Sequence, residues 1–578
     1  MWWYRILRFA FIFILISLPI CLFYWFVWKY ALNVPFQDDL DGVLEVIKKI
    51  MDAPNALRKA RIFVLQDDEH RVVFNRIVTY LLYVCNGEVN FKYHLFIGCT
   101  LILGIFGMIS HRFVRAALPI WGLIPVSLFI FQIQYYEGIF WGMIPCQNFA
   151  VLFFAFLSIY LVSQNTTVSL IFAFLFSLLG AFSSGNGLVV FLPFLLILVY
   201  QRRYRAALVC FVWACTCAWL YFYDLVIPEF RPKLSDNLLK YPLQVLVDFP
   251  AFLGQFFDMG VTFKPLIRGL ITVPIGVFII VWFVFLCQKL FLKWQKNTKS
   301  DATNQALVCW VGFLMFIMAT AAVFSIARAG DGFEAVFRSR YKLNLAIIMA
   351  LCYTTLFMLV ANRWRKTVFM VGLNVALVAN VLSYYQNFAN IETFRRNLMT
   401  DMLSWKHGSN IPTSPIYFSP TVKPLVDSII VHSLQHHYYT IPETIFTPIE
   451  RQLTSRPTIE PNLLGPPMAL DSTPQGEDYL IFSNSTFVQG NALDDGAYLI
   501  LKSGNETHFF PAQQRRGGIR HFLKNQQFYS IGFETAPILT KGLKKGTYEV
   551  YVVVVSNGNC QIRPTNKKVM VEKSFKES

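Results

Sequence analysis

Apolar stretches of about 20 residues recur through the first two thirds of this chain, and a helix of that length crosses the hydrocarbon core of a bilayer. The hydropathy pattern predicts about eleven such spans, near residues 6–29, 92–110, 116–133, 145–163, 168–183, 186–200, 206–226, 268–288, 306–326, 342–360 and 367–385. Only 15% of the 578 residues are charged, whereas soluble proteins carry about a quarter. We therefore predict an all-α, polytopic membrane domain over residues 1–385.

Clusters of Lys and Arg predict how these spans are oriented. If the spans alternate, five clusters fall on one side of the membrane: Arg5 and Arg8; Arg112 and Arg115; Arg202, Arg203 and Arg205; Lys289, Lys293, Lys296 and Lys299; Arg363, Arg365 and Lys366. Cytoplasmic loops carry such an excess, so we expect a cytoplasmic N-terminus and, after an odd number of spans, an external C-terminus. The formal net charge of +17 then reflects topology and does not indicate a nucleic-acid partner.

Two long polar segments fall on the opposite, extracytoplasmic side in this topology. Residues 30–91 form an external loop in which two stretches have apolar residues at helical spacing but are too polar to span, so both are expected to lie in the membrane interface. Residues 386–578 form a separate extracytoplasmic domain. From about residue 475, short β-type runs broken by Gly and Asn predict a mainly-β, sandwich-like fold.

Paired carboxylates follow the first span in the stretch NVPFQDDLDG, residues 33–42. Adjacent acids such as Asp38 and Asp39 can bind a divalent cation, or one can act as a general base while the other positions it. Pro35 and Phe36 should hold the segment at the bilayer surface, where a lipid-borne substrate presents its head group. A solvated loop start is the alternative interpretation, and the residues alone leave both open.

The stretch QDDEHR, residues 66–71, places an acid, an imidazole and a guanidinium next to one another in the same loop. Glu69 or Asp68 has the chemistry of a base or a metal ligand, and His70 that of a ligand or hydrogen-bond donor, with Arg71 beside them. The alternative is a charged helix start with Asp67 or Asp68 as the N-cap.

Aromatic residues surround a single acid in YYEGIFWGM, residues 135–143. Tyr and Trp are common at membrane interfaces in any case. A carboxylate such as Glu137 among aromatic residues needs a partner, and the face of an aromatic ring such as that of Trp141 also suits stacking on a sugar ring.

Three arginines lie close together in ARAGDGFEAVFRSRY, residues 327–341, against the charge rule for an external loop. Arg328, Arg338 and Arg340, with Tyr341 adjacent, are suited to a phosphate or diphosphate. Anionic lipid head groups are the alternative ligand. The glycines Gly330 and Gly332 of this stretch would let the backbone approach a ligand. A fifth stretch, FSSGNGLVV at residues 182–190, breaks the apolar run with small polar residues, and a tight turn between two spans is its simplest interpretation.

In this order, the stretches PFQDDL, DDEHRVVF, YYEGIFWG, SSGNGL and RAGDGFEAVFRSRY resemble the GT-C class of polytopic glycosyltransferases, in particular bacterial members with a periplasmic C-terminal domain. The resemblance covers residues 1–385. It implies a polyprenyl-phosphate-linked sugar donor, a glycan or lipid acceptor, and catalysis at the outer face of the bacterial inner membrane by an acid of the first external loop.

Carried to this chain, the resemblance implies Asp38 or Asp39 as the general base, and in-line attack with one base would invert the anomeric centre. Glu69, from its own chemistry, is a further candidate catalytic residue. Substrate binding would fall to His70, Arg71, Glu137, Trp141, Arg328, Arg338, Arg340 and Tyr341. Some members bind a divalent metal through acids in these loops, so Mg²⁺ or Mn²⁺ is the candidate cofactor and Glu69 and Glu137 are the candidate ligands, with the ligand set open.

A transporter or flippase of lipid-linked oligosaccharides is the main alternative function. Such a protein should carry charged residues deep in several spans and often repeated halves. The predicted spans here are almost free of charge, and the ionisable residues gather at one end, which favours an enzyme. Two further functions remain open for a chain of this kind: an acyl- or phosphotransferase that uses the same external loops, and a scaffold anchored in the membrane by its spans.

Overall fold

The computed structural model describes residues 2–228, 232–258, 264–297, 301–408, 411, 413, 419, 421–450, 463–475, 479–490, 492–504 and 506–571. The α-helices among these residues are α1 (Trp2–Tyr30), α2 (Glu45–Met51), α3 (Ala56–Val64), α4 (Val73–Asn86), α5 (Phe91–Arg115), α6 (Leu123–Ile130), α7 (Tyr136–Phe140), α8 (Ala150–Val162), α9 (Thr167–Ala181), α10 (Phe191–Tyr200), α11 (Tyr204–Phe222), α12 (Leu234–Lys240), α13 (Pro242–Gly254), α14 (Pro265–Gln295), α15 (Ala302–Arg328), α16 (Lys342–Leu359), α17 (Asn362–Gly408), α18 (Val422–Gln435) and α19 (Ile519–Asn525).

Within the described part of the chain, eight helical segments are long and apolar enough to cross a membrane. They contain α1, α5, α8, α11, α14, α15, α16 and α17. Three further predicted spans correspond to shorter apolar helices, at Ile120–Ile130, Thr167–Ala181 and Gly185–Tyr200. The chain is therefore a multi-pass membrane protein, whereas the predicted count of eleven spans is not established.

By its contacts the chain divides into two compact units. The first unit comprises Met1–Lys29 and Asp41–Asn387, and the second comprises Tyr30–Leu40 and Phe388–Ser578. Hydropathy predicts a domain boundary after residue 385, but no feature of the sequence indicates that Tyr30–Leu40 belongs with the C-terminal unit.

Close backbone packing fixes the helices α13 and α14 of the first unit against each other. A Cβ atom on Gly254 would lie 1.9 Å from the Thr272 carbonyl oxygen, and one on Gly276 would lie 1.8 Å from the Pro250 carbonyl oxygen. Only glycine permits this approach at either position. The chain after α13 is thereby held beside the start of α14.

The second unit contains a curled antiparallel sheet. Its strands are β3 (Asp471–Gln475), β4 (Tyr479–Asn484), β5 (Gly496–Ser503), β6 (Glu506–Gln513), β7 (Phe533–Thr535), β8 (Ile538–Leu539), β9 (Gly546–Ser556) and β10 (Asn559–Val571); two short strands of the first unit, β1 (Gln66–Asp67) and β2 (His70–Arg71), pair separately. The order is β10-β9-β5-β6-β7-β4-β3, with β8 beside β4. This single sheet, a half-barrel, replaces the two facing sheets of the predicted sandwich.

Along β5, where side chains alternate between the two faces of the sheet, both faces are buried. On β5, Leu499 and Leu501 belong to an apolar cluster to which nearly all the other strands also contribute residues. Tyr498 and Ile500 face the other side, where Leu403 of α17 and other apolar residues cover them. The apolar side chains that a second sheet would cover in a sandwich are covered here by α17 and other apolar residues of the same unit.

The segment Tyr30–Leu40 is anchored within the second unit by hydrogen bonds to its main chain. The Arg395 guanidinium donates to the carbonyl oxygens of Tyr30 and Ala31 at 3.2 and 3.3 Å. The Tyr439 hydroxyl donates to the carbonyl of Asn33 at 2.8 Å. These contacts fix the stretch in which the paired carboxylates are predicted to act.

Candidate functional site

Glu69 lies at the tip of a short β-hairpin. Strands β1 and β2 pair antiparallel, and the connecting residue Asp68 has a left-handed backbone with φ 44°, which an aspartate tolerates better than most side chains. Helix α4 begins only at Val73, and its N-cap has no side-chain hydrogen bond. The alternative interpretation, a helix start with Asp67 or Asp68 as the N-cap, is therefore wrong, because these residues belong to the hairpin.

Arg71, predicted to bind substrate, holds the base of this hairpin. Its Nε donates to the Tyr221 carbonyl oxygen at 2.7 Å, and its two other nitrogens donate to the carbonyl oxygens of Val64 and Tyr223. The side chain is buried. Its guanidinium thus ties the hairpin to the end of α11, and a role of Arg71 in substrate binding stays a prediction.

Glu69 forms an ion pair with Arg328, the last residue of α15. The Oε1–Nη2 distance is 2.8 Å, and both side chains are largely buried, with 24% and 16% exposed. The other end of the same guanidinium lies 3.6 Å from Asp331, and the Nε2 atom of His70 lies 3.6 Å from the Glu69 carboxylate. Two carboxylates, a guanidinium and an imidazole from the hairpin and from the end of α15 thus lie close together.

The SSGNG stretch comes to the same place. A Cβ atom on Gly185 would lie 3.1 Å from the Tyr221 hydroxyl oxygen and 3.3 Å from the Nδ1 atom of His70. The structure therefore brings together three of the stretches identified in the sequence, QDDEHR, SSGNG and ARAGDGFEAVFRSRY. We refer to Glu69, His70, Gly185, Tyr221 and Arg328 as the hairpin cluster.

A second cluster joins the YYEGIFWG stretch to the residues that precede α16. The main-chain N–H of Arg340 donates to the Glu137 carboxylate at 3.3 Å, and the Ser339 hydroxyl donates to the Gln134 carbonyl at 2.7 Å. The N–H of Glu137 in turn donates to the Ser339 hydroxyl at 3.3 Å. Glu137 thus holds the backbone on which the arginines are carried.

The side chain of Arg340 lies against aromatic rings. Its guanidinium carbon is 5.7 Å from the centre of the Trp141 ring and 5.1 Å from that of Tyr341, within the range of a cation–π contact. Arg338 is exposed. Among the described residues, neither guanidinium forms an ion pair with a carboxylate, in contrast to that of Arg328. We refer to Glu137, Trp141, Arg338, Arg340 and Tyr341 as the arginine cluster.

The two clusters lie at the same end of α15. The ring of Tyr341 packs edge to face on the ring of Phe324, with centroids 4.7 Å apart. Phe324 precedes Arg328 by four residues, which is about one helical turn and places both on one helix face. The arginine cluster therefore lies about one turn of α15 from the Glu69–Arg328 ion pair.

A buried charge network that we did not predict lies next to the arginine cluster, because it includes Lys342, the residue after Tyr341. Both nitrogens of the Arg268 fork donate to the Asp258 carboxylate, at 2.8 and 2.6 Å, and Lys342 donates to the same carboxylate at 3.0 Å. The Arg268 guanidinium also lies 4.0 Å from the centre of the Phe337 ring. Burial alone would raise the pKa of Asp258, but the hydrogen bonds from Arg268 and the charge of Lys342 outweigh it and lower that pKa.

Asp38 and Asp39 lie in the second unit, in the turn that ends Tyr30–Leu40. Asp39 is fully buried, and its carboxylate accepts the Phe36 N–H at 2.8 Å, whereas Asp38 is exposed. A small cavity beside this turn is lined mostly by apolar side chains together with Gln37 and Asp401. Asp39 therefore shapes the turn, and the catalytic role of the pair stays a prediction.

The two acids proposed as metal ligands, Glu69 and Glu137, do not lie side by side. Glu69 and Glu137 lie in different clusters; Glu69 faces the Arg328 guanidinium, and Glu137 accepts the main-chain N–H of Arg340. Across the described ranges, no group of three or more His, Cys, Asp or Glu side chains is arranged to hold a metal ion. Mg²⁺ or Mn²⁺ as the cofactor stays a prediction.

Comparisons with protein families, with characterised proteins and with solved structures found no match to this chain. The fold itself defines the class: a multi-pass membrane protein whose C-terminal unit carries a β half-barrel.

Proposed function

We propose that this protein is an inverting glycosyltransferase that moves a sugar from a polyprenyl-phosphate donor to a glycan or lipid acceptor. One observation carries the proposal: the ion pair of Glu69 with Arg328 lies about one turn of α15 from the contact between Phe324 and Tyr341, and Tyr341 belongs to the cluster whose two arginines pair with no carboxylate among the described residues. The proximity of a carboxylate that could act as a base to arginines that could bind phosphate supports the proposal. A transfer reaction with an anionic leaving group needs both.

The arginine cluster would bind the donor phosphate. Guanidinium groups match phosphate oxygens in a bidentate way, and Arg338 and Arg340 have donors that are not used by carboxylates of the described residues. The ring of Trp141, next to Arg340, offers a face on which the sugar can stack. As the bond between C1 and the phosphate oxygen breaks, the phosphate keeps the electron pair, and the fixed positive charges stabilise it.

The hairpin cluster would activate the acceptor. A hydroxyl group is a poor nucleophile until a base takes its proton. The Arg328 guanidinium and the neighbouring His70 keep the Glu69 carboxylate in a fixed orientation. In the proposed step the acceptor oxygen attacks C1 from the face opposite the phosphate, its proton passes to Glu69, and the configuration at C1 inverts.

The proposed location is the bacterial inner membrane, with the N-terminus in the cytoplasm and both clusters and the C-terminal unit on the periplasmic side. The five clusters of Lys and Arg support this orientation through the positive-inside rule. A lipid-borne donor suits such a site because nucleotide sugars are cytoplasmic.

The test uses the full chain in lipid nanodiscs with synthetic polyprenyl-phosphate hexoses and pentoses and a membrane glycan and glycolipid extract as acceptor. We expect release of polyprenyl phosphate from at least one donor, with transfer of the sugar. A flippase would instead move the intact donor between the leaflets of a liposome without cleaving it. Movement without cleavage would exclude the transferase.

The same assay tests the predicted base in the second unit. If Asp38 or Asp39 is the base, the variant that replaces that residue by asparagine should lose transfer. Asparagine at position 39 keeps an acceptor for the Phe36 N–H. Full activity of both variants with loss of activity in Glu69→Gln would assign the base to Glu69.

A further inference from the structure

The chain between β6 and β7 leaves the sheet of the second unit and carries a helix at its tip. Residues 515–517 pair antiparallel with residues 528–530 through two main-chain hydrogen bonds of 2.9 Å, and α19 connects these two arms. We refer to residues 514–532 as the basic loop, because they include four Lys and Arg residues and no Asp or Glu. The paired arms form its stem.

Helix α19 exposes apolar side chains on the side that faces away from the stem. The His521 Nε2 atom lies 3.2 Å from the Tyr529 carbonyl oxygen, so this side of α19 faces the stem. Ile519 and Leu523 precede and follow His521 by two positions, and they point to the opposite side because successive residues are about 100° apart around a helix. Their side chains are 57% and 73% exposed. Two large apolar side chains one turn apart thus form an open apolar face.

Positive charges flank this apolar face. Arg520 and Lys524 lie one helical turn apart and are exposed, and neither forms an ion pair among the residues that the structure describes. Arg515 of the stem pairs with Glu534 at 3.3 Å, but both side chains are exposed, so this pair is weak. An apolar face beside uncompensated positive charge is typical of segments that lie on an anionic membrane surface.

The stem packs on α17 just beyond the part of that helix that is predicted to span the membrane. The Phe528 ring contacts the Phe388 ring edge to face, with centroids 4.9 Å apart, and the Tyr529 hydroxyl donates to the Glu392 carboxylate. The predicted span ends near residue 385, and the three residues from there to Phe388 add at most about 5 Å of height. The head-group layer on each side of a bilayer is about 5–8 Å thick. The stem therefore meets α17 at the depth expected for lipid head groups.

We propose that α19 lies in the head-group layer of the bilayer, with Ile519 and Leu523 inserted towards the acyl chains and Arg520 and Lys524 on anionic head groups. The partner of this surface is thus an anionic membrane, and the contact holds the C-terminal unit close to the bilayer. Because α17 already tethers this unit to the membrane, even a weak contact becomes populated. The contact requires no sugar transfer, so it is independent of the proposed function.

Lys545 marks the end of the sheet that is remote from the basic loop. Its neighbour Lys544 forms an ion pair with Glu506, the first residue of β6, whereas the loop follows Gln513, the last residue of that strand. The eight residues of β6 extend over about 23 Å. Lys545 is exposed, so it provides a matched control position in the same unit.

The test introduces the photo-crosslinking amino acid p-benzoylphenylalanine in place of either Leu523 or Lys545 in the full chain. The protein is placed in nanodiscs that contain anionic phospholipid, and mass spectrometry measures lipid adducts after irradiation. We expect at least about tenfold more lipid adduct at position 523 than at position 545, because only the former would contact acyl chains. Both original side chains are exposed, so neither change should disturb folding.

The double change Arg520→Gln with Lys524→Gln tests the contribution of charge. Each Lys or Arg near an anionic surface strengthens binding about fivefold, so the adduct at position 523 should fall to the level measured in purely zwitterionic nanodiscs. In zwitterionic nanodiscs the double change should leave the adduct unaltered, which makes them the matched control for general effects of the substitutions.

Three results would overturn the proposal. Equal lipid adduct at positions 523 and 545 would show that α19 does not reach the bilayer. Adducts at position 523 that join two copies of this chain, in place of lipid adducts, would show that the apolar face docks on protein. An adduct in anionic nanodiscs that the double change leaves undiminished would show that the arginine and the lysine bind no head groups.

Discussion

Glu69 and Arg328 form an ion pair of 2.8 Å although 259 positions separate them in the chain. The hairpin between β1 and β2 presents the carboxylate, and the end of α15 presents the guanidinium. Because both side chains are largely shielded from water, the pair is stronger than an exposed one and joins the loop before α4 to the loop after α15.

This pair should show measurable coupling in a double-mutant cycle. We expect the single changes Glu69→Gln and Arg328→Gln, combined with the double change, to give a coupling free energy of about 1–2 kcal/mol in thermal unfolding of the detergent-solubilised protein. The matched control is the pair Glu45–Lys49 on α2, at 3.5 Å with the lysine 54% exposed. Its coupling should be about 0.3–0.5 kcal/mol. Equal coupling in the two cycles would show that Glu69 and Arg328 are not paired in solution.

The arginine cluster predicts a specific loss of donor affinity. Arg340→Ala should weaken binding of a polyprenyl-phosphate sugar by about tenfold or more, since a hydrogen bond to a charged group is worth about 1.5–3 kcal/mol. Arg338→Ala should act in the same direction. Arg363→Ala, an exposed arginine at the start of α17, is the control and should leave affinity unchanged. Isothermal titration in nanodiscs made of zwitterionic lipid measures this without competing anionic lipid. A uniform loss in all three variants would indicate a general charge effect and no phosphate site.

We expect the stability of the folded protein to decrease in acid because of Asp258. Its folded-state pKa is lowered, so the stabilisation from its pairing with Arg268 and Lys342 is complete above the ordinary aspartate pKa and is lost as the pH falls below about 4 and through the lower folded value. Asp258→Asn should remove this acid-side decline and destabilise the protein by about 3–5 kcal/mol at neutral pH, because two buried cations lose their counter-charge. Thermal unfolding between pH 2.5 and 7 tests this against Asp52→Asn, an exposed acid. An unchanged pH profile would mean that the network is not formed.

For Asp248 on α13 we expect the opposite effect, a contribution to stability that decreases as the pH rises. Burial raises its pKa to about 7, partly opposed by the polar side chain of Gln244. Between pH 4 and 7 the unfolded chain ionises this group while the folded chain keeps it protonated, so stability should fall as the pH rises through this range. Asp248→Asn should flatten that slope and raise the melting temperature at pH 7.5. Asp236→Asn on α12, where the acid is more exposed, should do neither. A slope that survives in Asp248→Asn would assign it to another group.

The parts of this architecture that the sequence could predict are those set by local composition. Apolar runs such as Ile6–Tyr30 and Pro265–Gln295 are helices because a continuous apolar stretch of that length has few other stable forms in a membrane. Composition does not distinguish a hairpin from a helix start at residues 66–71, because the charged residues found there are also common in the first turn of a helix. The left-handed backbone of Asp68 forms the turn of the hairpin, and composition gives no sign of it.

The rest depends on contacts between distant parts of the chain. Four of the five stretches identified in the sequence do meet other parts of the first unit, but the pairing of Glu69 with Arg328 cannot be read from either stretch alone. Asp258 was missed because a lone acid between apolar segments resembles any loop acid until Arg268 and Lys342 lie beside it. The sequence pattern places Tyr30–Leu40 in the first domain because its contacts with Arg395 and Tyr439 cross more than 350 positions and leave no local signal.

The most direct test of the account is a single-turnover measurement of polyprenyl phosphate release by the wild type and by Glu69→Gln, with donor affinity determined for both. The account predicts that the two proteins bind the donor within about threefold of each other while release in the variant falls by at least about a hundredfold, the lower range for loss of a general base. Equal release by the two proteins, or no release from any lipid-linked sugar by a folded wild type that is given acceptor, would contradict it.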